Sequence, residues 1–497
     1  MKKFEKMNNF VGYISSITQD KIIIKVPFDN IDQNFCINKD FYINSFLETN
    51  ITNNFSIILK VNSINDNYDN NFNVIEWKRS KVTVCSTIIG TYNKIENSFS
   101  DKLEKYPKIN NEVYLLEEKV LKTICSVDSK YLSIKVGNLI NNKNIEISSN
   151  FNNLFGKHLG IFGKTGSGKS RTIAHLIRST LNKELYKNDK KIEFSRYFNP
   201  KIIIFDYNGE YTNIVNENYI QRYDLLSNDE TLWPLINFNI GSYESLDLYE
   251  YIEIFGFTET MSNHLIGRIS EIDNLKKLMD VAKEKEDYKT KYDLPRINKF
   301  IKNPFFVKNL KVFESEKPEL NFLYDFMNNK FKHVMIIKMN YKNPIDKLIF
   351  TLITKLIHNS SMTNNRHILI VMDESHRLFK DDNQIFHKYL ELLVREGRKF
   401  NFSLWLSTQS LSDIPELYIS QCSNFIVHTL NNYKDIMQVQ NCCDFRLKLF
   451  EFLSTIGVQN AIVFGEAFST FFSIKIKSTK KLSVVNSDVF DNWNKQL

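Results

Sequence analysis

Cysteine is scarce in this chain: six in 497 residues, at Cys36, Cys85, Cys125, Cys422, Cys442 and Cys443. None forms a C-x-x-C pair, and the adjacent Cys442 and Cys443 cannot easily bridge one another. The spacing argues against a disulfide framework and a structural zinc, and a reduced, cytoplasmic setting is expected. Long apolar runs are also missing. No stretch approaches the ~18 uninterrupted apolar residues of a membrane span, and the most apolar helical run, residues 347–357, is short and carries Lys355. The start, MKKFEKMNNF, is basic but lacks the apolar core of an export signal, so neither a signal nor a membrane partner is expected. Neither charge sign dominates: 65 Lys and Arg face 57 Asp and Glu, a net +8. That balance permits a nucleic-acid partner without demanding one. Internal repeats and low-complexity tracts are not evident.

What is present fits a soluble globular protein, with 42% hydrophobic and 25% charged residues, in a chain too long for one ordinary core. Residues 8–135 read as β-rich. Short runs recur at 11–17, 21–26, 55–61, 73–77, 81–89, 112–116 and 131–136, separated by Asn- and Asp-rich turns. Such spacing suggests a small barrel or sandwich, with a structural or docking role, because no catalytic constellation is visible in it. Residues 137–157 read as a connector. From His158 onward strands alternate with helices, which predicts a parallel α/β sheet with strands at 159–162, 201–205, 333–339, 367–372, 402–407, 424–429 and 461–464. A charge-rich, helical stretch between Ile236 and Lys330 reads as an insertion, and its segment 276–293 as a solvated helix face or loop. The short tail from Lys480 carries Val484, Val485, Val489, Phe490 and Trp493, which could dock on a neighbour or on its own domain.

The motifs lie at the ends of the expected strands. Residues Gly163, Lys164, Thr165, Gly166, Ser167, Gly168, Lys169 and Ser170 match G-x-x-x-x-G-K-[ST] at every fixed position. Glycines let backbone N–H groups turn inward around a phosphate chain, the lysine adds a point charge, and the serine hydroxyl faces Mg²⁺. An apolar run precedes the motif, and a helical pattern with Ile173, Leu176, Ile177 and Thr180 on one face follows it, so its N-terminus would point at the anion. The strand 367–372 ends in Asp373 and Glu374; the first acid can hold a Mg²⁺ shell and the second can activate water. The strand 402–407 ends in Thr408 and Gln409, and Gln409 can sense phosphate or position water. Asp206 and Glu210 follow the strand 201–205. They would lie near the nucleotide if that strand neighbours the phosphate-loop strand; the alternative is a turn closed by Asp and Gly. Arg395, Arg398 and Lys399 surround Gly397 at a helix end. The helix dipole favours cations there, and an arginine finger reaching a neighbour's γ-phosphate is the other reading.

The set HxGIxGKTGSGKS, FDYNGEY, IVMDESHRLF, REGRKFN and LSTQ, in this order, resembles the HerA family of hexameric ATPases, kin to the FtsK DNA pumps. The β-rich segment is similar to the small barrel of these proteins, and residues 460–466 to their terminal strand region. The resemblance implies an α/β fold: a RecA-like P-loop ATPase core with an inserted helical subdomain, preceded by a small N-terminal β-barrel. The boundaries expected are 1–136 for the barrel, 137–157 for the connector, 158–479 for the core with its insertion at about 237–330, and 480–497 for the tail. It further implies ATP and Mg²⁺ as cofactors, held by Lys169, Ser170 and Asp373, with Glu374 as catalytic base and Gln409 as sensor. Arg395 or Arg398 would be the finger acting in trans. A homo-oligomeric, hexameric ring with double-stranded DNA in its pore is implied as well. A separate effector would dock through the barrel, either a nuclease or a sirtuin-like NADase, in antiphage defence or DNA end processing. A Ser-Leu pair follows Gln409, where the family often has a proline. A ring that assembles and regulates an effector without translocation is the competing reading.

Overall fold

A computed structural model describes residues 9–18, 21–27, 42–66, 82–103, 105–182, 184–187, 190–192, 198–234, 246–285, 293, 295, 298, 322–340, 344–359, 366–379, 384–397, 399–442, 453–454 and 456–477. The strand expected at 73–77, Arg398 and the tail at 480–497 lie outside them. The chain divides into two compact units. One comprises Met1–Leu154, Gly163–Glu193 and Ser423–Ser478, the other Phe155–Phe162, Phe194–Cys422 and Thr479–Leu497.

The first unit opens with β1 (Phe10–Ile17), β2 (Ile22–Lys25), β3 (Phe46–Asn50), β4 (Phe55–Asp66), β5 (Val82–Asn93), β6 (Ser98–Ser100) and β7 (Glu112–Leu115). They hydrogen-bond in the order β2-β1-β7-β3-β4-β5-β6, and β2 also pairs with β5. That last pairing closes six strands into the expected barrel, which removes the free edges that would otherwise template aggregation. Alternate residues point inward, so Val11, Ile14, Ile22, Ile24, Leu59 and Val61 share one apolar core. Each such side chain stabilises the fold by about 1.5–3 kcal/mol relative to exposure. Register shifts at Ile14/Ser16 and Val61/Ser63 bend the strands round the closure.

A second sheet in this unit runs β12 (Lys190–Lys191), β11 (Leu185–Lys187), β8 (Ser133–Leu139), β20 (Phe472–Ile476), β19 (Asn460–Gly465), β18 (Asn424–Val427), with β9 (Glu146–Asn150) paired to β8. Here three expectations change. The run at 131–136 belongs to this sheet and not to the barrel. The stretch 137–157 carries the end of β8, all of β9 and the short helix α2 (Phe151–Phe155), which follows α1 (Glu118–Cys125) in the chain. β19 runs antiparallel to β18, and β20 antiparallel to β19, so the α/β sheet is mixed and not parallel throughout. Two neighbouring strands with a tight link between them, as at 465–472, can only return antiparallel.

The second unit holds β10 (Leu159–Phe162), β13 (Lys201–Asp206), β14 (Ile220–Asp224), β15 (Val334–Lys338), β16 (Ile368–Met372) and β17 (Phe402–Thr408), in the order β10-β17-β16-β13-β15-β14. All five pairings are parallel. β13, β16 and β17 are buried at every residue, as strands covered on both faces must be. β13 does not neighbour β10: β17 and β16 lie between them. Phosphate-loop and acid-bearing strands are spaced by hydrogen-bonded order, which chain order does not reveal.

The inserted stretch is helical where described: α4 (Leu248–Phe255), α5 (Glu259–Gly267), α6 (Leu275–Glu284) and α7 (Phe322–Asn328). Local chemistry sets their ends. Asp247 and Glu250 form a reciprocal capping box on α4, and Gly256 ends it in the left-handed region at φ 62°. Thr258 and Asn274 cap α5 and α6 by accepting from Met261 and Lys277 N–H groups. In the charge-rich segment, α6 turns Leu278, Met279, Val281 and Ala282 inward, leaving its charges on the other face. Lys201 is 1% exposed, and its ammonium donates to the carbonyls of Phe326, Asn329 and Lys332 at 2.7, 2.6 and 2.7 Å, where α7 ends. All three of its donors are used, at the helix end where a cation is favoured.

The insertion is tied down by one buried acid. Glu250, 1% exposed, accepts from the Asp247 N–H at 2.8 Å, from Lys355 Nζ at 2.7 Å and from the Tyr389 hydroxyl. Lys355 lies on α8 (Pro344–His358) and Tyr389 on α9 (Gln384–Glu396). Burial and the adjacent Glu250 carboxylate push the Tyr389 phenol well above its usual range. Replacing one partner strands the other charge in a low-dielectric interior. Glu250→Ala is therefore expected to lower unfolding free energy by about 3–5 kcal/mol, and Lys355→Met by less, because neutral Tyr389 still donates to the acid. Denaturant titration of both variants checks the order.

Candidate functional site

The phosphate-loop residues fall in the first unit, where β10 gives way to the loop and then to α3 (Lys169–Leu181). Gly163, Gly166 and Gly168 have φ of 155°, 74° and 121°, the last two firmly in the region that favours glycine. A Cβ at Gly163 would lie 2.6 Å from both His428 Cβ and Ser167 Oγ, whereas one at Gly166 would meet nothing within 4 Å. The loop is thus closely packed at Gly163 and open at Gly166. Lys169 is 6% exposed and folds its ammonium back onto the Gly163 carbonyl at 2.8 Å and the Lys164 carbonyl at 3.4 Å. Ser167 Oγ donates to Lys164 O at 2.7 Å, which closes the turn. Lys164, Thr165 and Gly166 are exposed, while Ser170 is half-buried in the first turn of α3. The helix is buried beyond the single face predicted: Thr172, Ala174, His175 and Ser179 are buried along with Ile173, Leu176, Ile177 and Thr180.

His428, which the sequence reading passed over, supports the loop. It is fully buried after β18, and its Nδ1–H donates to Asn460 O at 2.9 Å. Its Nε2 accepts from Thr172 Oγ1 at 2.9 Å. Burial pulls its pKa down to about 4, opposed by the Asn460 hydrogen bond and reinforced by the charge on Lys169. No local motif marks it, because Thr172 lies 256 residues away in the chain and Asn460 32.

The acidic residues fall in the second unit, at one edge of its parallel sheet. Phe162 pairs with Thr408, Leu406 with Met372, and Met372 with Phe205. The C-terminal ends of β10, β17, β16 and β13 therefore lie side by side. From that edge the chain continues as Gly163, Gln409, Asp373-Glu374 and Tyr207 respectively. Asp373 is 1% exposed and its Oδ1 accepts from Ser407 Oγ at 3.1 Å. Glu374 is 7% exposed and has φ 48° and ψ 43°, a left-handed conformation costly for a residue with a side chain. Its Oε2 lies 3.3 Å from His376 Nδ1, which is 3.2 Å from Thr408 Oγ1. Thr408 gives its one hydroxyl proton to Ser410 O at 3.0 Å, so towards His376 it can only accept. His376 Nδ1 therefore carries the proton and gives it to Thr408, with the Glu374 carboxylate close beside it. His376 is 4% exposed and was also missed, though the run Asp-Glu-Ser-His shows it. Gln409 follows directly, half-buried, in the turn that Thr408 and Ser410 close.

Asp206 and Glu210 stand apart. Asp206 is fully buried, and its two oxygens accept from the N–H groups of Gly209, Glu210 and Tyr211 at 2.8, 3.1 and 3.0 Å. Burial raises its pKa, and those backbone bonds oppose the rise. The geometry is the Asp-Gly turn, on a strand separated from β10 by two others. Arg395 closes α9 with its side chain 56% exposed, paired to Glu391 at 2.7 Å. Gly397 is required where it stands: a Cβ would meet Leu393 O and Phe402 O at 2.9 Å and His158 Cε1 at 3.1 Å. His158 also accepts from Leu404 N at 2.9 Å and donates to Val394 O at 3.1 Å, which ties β10, α9 and β17 together.

A glycine-rich loop between a buried parallel strand and a helix, with a strand ending in two buried acids, defines a P-loop ATPase with a RecA-like core. Family comparison makes this more specific. The model of the HerA helicase central domain matches residues 134–399, more than half of the chain, and that of the HerA-like C-terminal domain matches 350–476. The chain belongs to the HerA helicase family and is an ATP hydrolase. It is 23% identical to the DNA double-strand break repair helicase HerA of Sulfurisphaera tokodaii, over 85% of this chain and 91% of that one. It is 25% identical to the protein of the same name from Saccharolobus solfataricus, over 76% and 75%. A probable helicase of Methanocaldococcus jannaschii is 22% identical over 78% and 75%. Among the described residues no helix is long and apolar enough to cross a membrane.

The depressed pKa of His428 makes a pH prediction. The unfolded chain binds this proton below about 6.5, whereas the folded chain excludes it until about 4. The stability is fully present above the higher value and is lost as pH falls through the window, by about 3 kcal/mol for this group. Unfolding free energies measured between the two values should fall less steeply for His428→Gln than for wild type.

Proposed function

We propose that this chain is the motor subunit of a homo-oligomeric ring that hydrolyses ATP to move along double-stranded DNA. The observation that carries the reading is the shared C-terminal edge of β10, β17, β16 and β13, the place where ligands bind in open α/β sheets. The relatives' printed activity, DNA double-strand break repair helicase, supports the substrate. The open space at Gly166, the ammonium of Lys169 at the loop and the buried Asp373 carboxylate suit a nucleotide with its magnesium ion. Lys169 and the N–H groups of residues 163–170 hold phosphate, and Ser170 and Asp373 hold the ion. Magnesium, when bound, would supply neutralising charge on the phosphates.

Glu374 takes the proton of the attacking water. His376 orients its carboxylate, and Gln409 senses the γ-phosphate or positions the water. Asp206 and Glu210 shape the neighbouring turn. Arg395 is exposed at a helix end and suits a finger offered to the adjacent subunit, with Arg398 as the alternative. Six subunits, a basic pore around duplex DNA, and a nuclease or NADase docked on the barrel complete the reading. The setting is antiphage defence or DNA end processing.

Lys169→Ala should abolish ATP turnover; normal turnover in that variant overturns the nucleotide assignment. Glu374→Gln should slow hydrolysis by about 100-fold or more while ATP still binds. Duplex movement should stop with it. If effector activity survives at full strength in that variant, the ring is a scaffold and not a motor. Binding to duplex DNA should weaken steeply with salt, since phosphate contacts release counterions. Mixing Arg395→Ala or Arg398→Ala subunits with Glu374→Gln subunits should restore part of the turnover if either arginine acts in trans, and restore none if neither does.

A further inference from the structure

A cavity of about 200 Å³ lies in the first unit, where the barrel meets the second sheet. Asn44 and Phe46 line it from the turn before β3 and from β3, Leu116 from beyond β7, Leu139 from the end of β8, and Asn142 from the link between β8 and β9. Lys60 of β4 lines it too. Strand alternation sends Leu59 and Val61 into the barrel core and Lys60 to the opposite face. Lys60 is 2% exposed. Its ammonium stands 3.6 Å from the Phe471 ring centroid and 5.7 Å from that of Phe46.

Among the described residues the other buried lysines have carbonyl partners, Lys201 three and Lys169 two. Lys60 differs. Among the described residues neither a carboxylate nor a carbonyl pairs with its ammonium. The acid on the cavity wall, Glu118, is exposed and bridges Lys122 at 2.7 Å. Cys125 is near enough to interact, but burial pushes its thiol up, so it stays neutral and brings no charge. Ring faces offset only part of the desolvation of an ammonium, about 0.5–2 kcal/mol. The Lys60 pKa accordingly falls to about 7.

We propose that this cavity binds a small organic monocarboxylate. Its carboxylate pairs with the Lys60 ammonium and takes N–H donors from Asn44 and Asn142, and its apolar body lies against Phe46, Leu116 and Leu139. The size suits such a molecule: an apolar cavity of about 150 Å³ holds benzene. The charge does as well, because Lys60 is the one cation among the described lining residues, and a phosphate dianion would leave buried charge unmatched. The proposal is independent of the ATPase reading, since no residue of the phosphate loop or the acidic strand ends lines the cavity.

Calorimetric titration of the full chain at pH 6.5 tests it with two probes, benzoate and its neutral analogue benzyl alcohol. Benzoate should bind once per chain, and benzyl alcohol at least about 10-fold more weakly, a difference of about 1.4 kcal/mol. Lys60→Met keeps the length and removes the buried charge, so it should fold and lose benzoate affinity at least about 10-fold. A second readout needs no variant. At pH 8, reductive methylation of Lys60 in the wild-type chain, followed by peptide mass spectrometry, should be slowed by benzoate and not by benzyl alcohol. Equal binding of benzoate and benzyl alcohol, undiminished benzoate binding to Lys60→Met, or methylation of Lys60 indifferent to benzoate would each overturn the assignment.

Discussion

The parallel register of β10, β17, β16 and β13 is the constraint on which the candidate site depends. These strands are buried nearly throughout, so an unmatched polar side chain within them would cost more than the fold can supply. Chemistry can begin only where the strands end. Register brings those ends to one edge: Phe162 beside Thr408, Met372 beside both Leu406 and Phe205. A slip by one residue would move Asp373 into the sheet or Met372 out of it.

Around that edge the structure stores strain and then holds it. Glu374 sits in a left-handed conformation that L residues with side chains avoid, beside the proton on His376 Nδ1. His376 is held in turn by Thr408, whose hydroxyl is committed to the turn at Ser410. The phosphate loop is supported in the same indirect manner. His428 stays neutral because it is buried, and it spends both ring nitrogens on neighbours of the loop. In both places a histidine acts through another residue, and both are set by packing across long sequence separations or by a short helical turn.

Among the described residues, buried lysines away from that edge are matched by oxygens, and Lys60 departs from this. Lys201 closes a helix end with three carbonyls, and the Glu250–Lys355–Tyr389 group clamps the insertion to α8 and α9. Each group is satisfied, so each contributes specificity at little net cost. Lys60, flanked by rings and a neutral thiol, lacks such a match within the described protein, which is why its cavity stands out.

The strands and the motifs at their ends were legible in the sequence because they are local. Short β-branched apolar runs such as Ile-Leu-Ile-Val-Met at 368–372 read as buried strand, and GKTGSGKS at 163–170 demands backbone angles that glycine alone adopts freely. The β-rich N-terminal segment was legible for the same reason, through its alternation and turns, as a barrel or a sandwich, and the family resemblance chose the barrel. Strand order was not: nothing local says that two strands separate β13 from β10, so Asp206 was expected nearer the phosphate loop than β13 places it. Nor does local pattern reveal that β19 returns antiparallel, that His428 underlies the loop, or that Lys60 is sealed against a second sheet. Those depend on hydrogen bonds and contacts between segments far apart in the chain, which only the tertiary structure brings together.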